Sequence, residues 1–73
     1  MHPTKLNLRQ SLLKLIYELA VLELLLEQQK DNYKDAVSSH CENLALLEIQ
    51  SYLLDIKKKK YAIEHIQELL SQN

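Results

Sequence analysis

Apolar residues recur along the first part of the chain at alternating steps of four and three: Leu8, Leu12, Leu15, Leu19, Leu22 and Leu26. That spacing is the a/d stripe of a helix that packs along one seam against another helix. The stripe keeps its phase through Gln29, Tyr33 and Ala36, which predicts a first helix from about residue 5 to about residue 37. Either Thr4, or Asn7 with Gln10 three residues on, is placed to cap its start.

A second stripe follows, made of Ala45, Ile49, Tyr52, Ile56, Ile63, Ile66 and Leu70, with Lys59 at the one seam position that is not apolar. It predicts a second helix over about 40–72. Ser39 followed by Glu42 has the spacing of a capping box directly before this apolar run. A turn at Ser38 and Ser39 makes two arms of nearly equal length. The competing turn near 31–33, where Asn32 could take a left-handed conformation, would leave a C-terminal overhang carrying Lys57 to Lys60. The expected fold is therefore all-α: one domain over 1–73, folded as a two-helix antiparallel hairpin.

One hairpin does not use all the leucine. Each residue advances about 100° around a helix, so Leu13, Tyr17, Ala20 and Leu24 fall on a stripe roughly opposite the first, widened by Val21 and Leu25. Leu44, Leu47 and Leu54 lie similarly away from the Ile49 stripe. Only narrow polar strips remain on the first helix, one of Ser11, Lys14 and Glu18, the other of Arg9, Glu23 and Glu27. A lone hairpin would forgo about 1.5–3 kcal/mol of burial for each large side chain left in water, and the sum rivals the whole stability of a small domain. Those outward leucines are expected to form a protein interface. The partner is a second copy, which gives a four-helix bundle, or a larger protein with an apolar groove.

Composition sharpens this picture. The 73 residues include no glycine, tryptophan or phenylalanine and one cysteine, Cys41, so tight glycine turns and an internal disulfide are both excluded. The formal net charge of −1 offers no global attraction to nucleic acid or to an anionic membrane. Lys14, Glu18 and Glu23 interrupt the leucine-rich segment and argue against a signal sequence or a membrane span. A cytoplasmic protein with a reduced Cys41 is expected.

Candidate chemistry is sparse. His40, Cys41 and Glu42, with His65 and Glu68, are the residues of metal-ligand type that cluster, but Val37 and Ala62 stand where a glutamate three residues before each histidine would be needed. Cys41 beside His40 lacks the geometry of a nucleophile and base, since neighbours on a helix point about 100° apart, and a half-buried Cys41 near the end of the bundle is the simpler expectation. Tyr17, Tyr33, Tyr52 and Tyr61 suit packing at or beside a seam. No cofactor, metal or catalytic residue is expected.

Lys57, Lys58, Lys59 and Lys60 form the sharpest charge feature. Four lysines in one helical turn point in every direction, and Asp55 is near enough to pair with Lys58 or Lys59. A solvated or ion-paired face is favoured over a phosphate contact. In the hairpin this run lies across from Tyr17 and Glu18. The sequence therefore points first to a small non-catalytic helical interaction module of adaptor, chaperone or regulator type. The alternative is a nucleic-acid-binding hairpin dimer that uses the four lysines with Lys5 and Arg9.

Overall fold

The computed structural model describes residues 4–72, so the domain expected over 1–73 runs past the described residues at both ends. Two helices account for almost all of it: α1, Lys5–Lys34, and α2, Ser39–Ser71. They pack side by side as an antiparallel hairpin measuring 55 × 18 × 14 Å. Helices of 30 and 33 residues have lengths of about 45 and 50 Å at 1.5 Å per residue, so the long dimension is simply the helix length.

Thr4 caps α1. Its backbone is extended and its Oγ1 accepts a hydrogen bond from the Asn7 amide at 3.2 Å. At the other end α1 stops at Lys34, three residues short of the expected residue 37. The reason lies in the connection. Asp35 leaves the helix at φ −93°, ψ 6°, its amide still bonded to the Asp31 carbonyl at 3.0 Å, and Ser38 is already fully extended as the cap of α2. Reversing the chain takes the residues between them. No described residue has a positive φ, and Asn32 is helical, its amide side chain donating to Gln29 Oε1 at 3.4 Å. The turn near 31–33 is thus not used.

The cap of α2 is Ser38 rather than Ser39. Ser38 Oγ accepts from the Cys41 amide at 3.2 Å, and the Ser38 carbonyl accepts from the Glu42 amide at 3.0 Å. Glu42 therefore stands one position beyond the capping-box site, although its charge is still in the first turn, where it favours the positive end of the helix dipole. α2 spans Ser39–Ser71 where about 40–72 was expected.

The seam is the predicted one. Leu26, Ala45 and Ile56 are buried, and Leu8, Leu12, Leu15, Leu19, Leu22, Ile49, Tyr52, Ile63, Ile66 and Leu70 are half-buried along the same line. Tyr33 departs from it. It lies where α1 is ending and is 40% exposed. Only three described side chains are buried, because a seam between two cylinders has no second layer above or below to close it.

Candidate functional site

The outward stripe of α1 starts with Leu6 and continues through Leu13, Tyr17, Ala20 and Leu24, at helical spacings that keep all five on the side away from α2. Leu13 is 67%, Tyr17 71% and Leu24 64% exposed. Ile16 and Val21 flank the stripe and are exposed as well. Leu25, expected on this surface, is half-buried beside the seam instead, since it stands seven residues after Glu18 and so on the same seam-edge side of the helix. On α2, Leu44, Leu47 and Leu54 are exposed as a shorter patch, with Leu46 and Leu53 beside them. Sequence reasoning passed over Leu6, Ile16, Leu46 and Leu53. Extending each outer stripe by one heptad step and including its flanks would have found them.

The total surface measures how much remains uncovered. A compact monomer of this mass exposes about 4,700 Å², whereas this 8.6-kDa hairpin exposes 5921 Å². Its radius of gyration is 16.5 Å, against about 11 Å for a globular chain of the same length. The surplus surface is a consequence of shape. Two long helices in one layer leave three sides of each in water.

The lysine run is not a single face. Lys59 enters the seam position, where its Nζ donates to Glu18 Oε2 on α1, and both side chains are only about one-third exposed (31% each). That hydrogen bond from Lys59 holds the Glu18 carboxyl below the usual carboxylate range; partial burial opposes the shift, and the charges of Lys59 and Lys14 add to it. The pairing of Asp55 with Lys58 or Lys59 is not formed. Among the described residues the ion pairs are this one and Lys30–Glu27, at 3.3 Å on the surface of α1.

Beside the Glu18–Lys59 pair runs an open groove of about 640 Å³ between the helices, lined also by Leu15, Leu22, Ala62, Asp55 and Lys58 and by Tyr17 and Val21 from the edge of the outer stripe. Lys57 and Lys60 border a separate groove with Leu53, Ile56, Tyr61 and Glu64. The four lysines are thereby shared between two grooves. Tyr17 and Tyr61 line these grooves and are well exposed, so of the four tyrosines only Tyr52 packs in the seam.

His40 and Cys41 occupy the first turn of α2 and are exposed, which corrects the expectation of a half-buried thiol. Early in a helix, beyond the last seam contact, Cys41 has nothing to pack against. Among the described residues no three His, Cys, Asp or Glu side chains converge on a point where a metal ion would sit. No helix among them is long and apolar enough to cross a membrane. The fold defines a two-helix hairpin with an unpartnered apolar stripe on each arm. No family model matches the chain, and no curated protein or solved structure matches it.

Proposed function

We propose that this protein is a small non-catalytic interaction module of adaptor, chaperone or regulator type, which works in the cytoplasm by self-association and by presenting a leucine-rich helical face to a larger protein. One observation carries the reading: the outward stripe through Leu13, Tyr17 and Leu24 is as regular as the seam itself, yet it has no partner within the hairpin. Apolar residues at heptad spacing are what a second helix packs against. Size exclusion coupled to light scattering tests it. The isolated chain should be strongly helical and heavier than one copy at micromolar concentration. A cooperatively melting monomer would refute self-association.

The nucleic-acid alternative has weaker support. Lys59 is engaged by Glu18, and of the other three only Lys57 and Lys60 share a groove, with Lys58 facing the other one. Phosphate binding draws on several cations that face one backbone together.

A further inference from the structure

We infer that two copies of this protein pair through α1 against α1, antiparallel, with the twofold axis crossing the helix at the level of Leu15 and Ile16 and with Arg9 of each copy opposite Glu23 of the other. The inference deepens the self-association reading and rests on it.

The outer stripe has its own register. An antiparallel pair whose axis lies at Leu15 sets Leu6 opposite Leu24 and Leu13 opposite Tyr17, and closes the remaining layer with Gln10 against Ala20. Every apolar residue of the stripe then has a partner over a contact about 27 Å long. One flank of the stripe carries Arg9, Ile16 and Glu23, spaced two full heptads from first to last. In the same register Ile16 meets its own copy on the axis, and Arg9 and Glu23 meet twice, once at each end. Neither charge is committed within the hairpin, since both residues are exposed and the described ion pairs involve other residues. On the opposite flank Lys14 meets its own copy. It stands one turn from Glu18 of its own helix, whose carboxylate its charge already favours.

Neighbouring registers lose these matches. A shift of one heptad toward the turn puts Leu6 opposite Asp31 and Arg9 opposite Lys30. The reverse shift carries Ala20 and Leu24 past the start of the partner's α1 at Lys5. The outer patch of α2 does not pair with itself as well. Ser51 interrupts it, and the antiparallel register that joins Leu44 to Leu54 places Glu48 against Glu48. Each pairing sets one like-charged pair on a flank, but only the α1 pairing offsets it with two opposite-charged pairs, and the flanks of α2 supply none in that register. The surface available is ample: the hairpin exposes roughly 1,200 Å² more than a compact chain of its mass, and a standard interface takes about 800 Å² from each partner. The α1 pairing leaves the α2 patch around Leu47 free for a different protein.

Charge reversal reads the register directly. Arg9→Glu and Glu23→Arg are surface changes that should leave helicity, measured by circular dichroism, intact. Each alone should raise the dimer dissociation constant by about tenfold or more, because two favourable pairs become two repulsive ones. An equimolar mixture of the two single variants should form a heterodimer, and the chain carrying both changes should dimerise like the wild type. Leu13→Glu should dissociate the pair while Leu47→Glu leaves its mass unchanged. A wild-type chain that sediments as a monomer would overturn both this pairing and self-association. A wild-type dimer whose mass and affinity ignore the single charge reversals would overturn the α1 pairing and leave self-association standing.

Discussion

The Glu18 carboxylate on α1 accepts a hydrogen bond from the Lys59 ammonium on α2, across 41 positions of sequence, at a seam position that its neighbours fill with isoleucine. Helix phase turns Lys59, alone of its run, toward the seam, and the pair ties the middle of one helix to the middle of the other. Both groups keep partial access to water, so neither charge bears the full cost of burial.

That contact makes stability depend on acid in a predictable direction. The Glu18 carboxyl lies below its ordinary value of 4.5 in the folded chain, so folding favours the ionised form. Its contribution is complete above the unfolded value and is lost as pH falls through the lowered folded value. Melting temperatures of the wild type and of Glu18→Gln at equal chain concentration should differ by a constant amount from pH 7 to about pH 5, and converge below that. A difference that stays constant into strong acid would show that the Glu18 charge does not couple to folding.

The two serines of the turn should be unequal. Ser38→Ala removes the acceptor for the Cys41 amide and should cost about 1 kcal/mol. Ser39→Ala removes no cap and should change stability by less than about 0.5 kcal/mol. Chemical denaturation of the two variants compares them, and equal losses would contradict the assigned cap.

Inner and outer leucines should fail in different ways. Leu26 is buried, so Leu26→Ala should lower folding stability by about 2–4 kcal/mol. Leu24 and Leu47 are exposed in the hairpin, and changing both to glutamate should leave the helices formed in a single chain. The same double change should abolish association or partner binding, because it would bury unpaired carboxylates at several kcal/mol. Light scattering and helicity, measured together, separate the cases. A double variant with wild-type mass and partner binding would mean that these stripes are not the interface.

Lysine-to-glutamine changes at Lys57, Lys58 and Lys60 should each alter stability by only a few tenths of a kcal/mol and spare protein-partner binding. Lys59→Gln should cost more than any of these, because it leaves Glu18 without its cation. Salt-sensitive, submicromolar binding to duplex DNA or structured RNA that disappears in the glutamine variants would instead favour the nucleic-acid alternative.

Periodicity alone determined the main lines of this fold. Steps of three and four run unbroken from Leu8 to Leu26 and again from Ala45 to Leu70, and because a helix returns to the same side every seven residues, those steps specify both helices, the seam and the antiparallel pairing. They also placed the lysine run across from Glu18, since arm length fixes which residues are level in a hairpin. The finer choices were tertiary. Ser38 and Ser39 are chemically identical, and only the geometry of the reversal decides which of them is extended and so caps α2. The heptad steps already put Lys59 at the seam, but its partner was a tertiary choice: the carboxylate of Glu18 across the seam takes it, and not Asp55 on its own helix. Exposure of Cys41 was decided in the same way: its neighbours in sequence are compatible with burial, but the seam begins only at Ala45, a full turn further along α2.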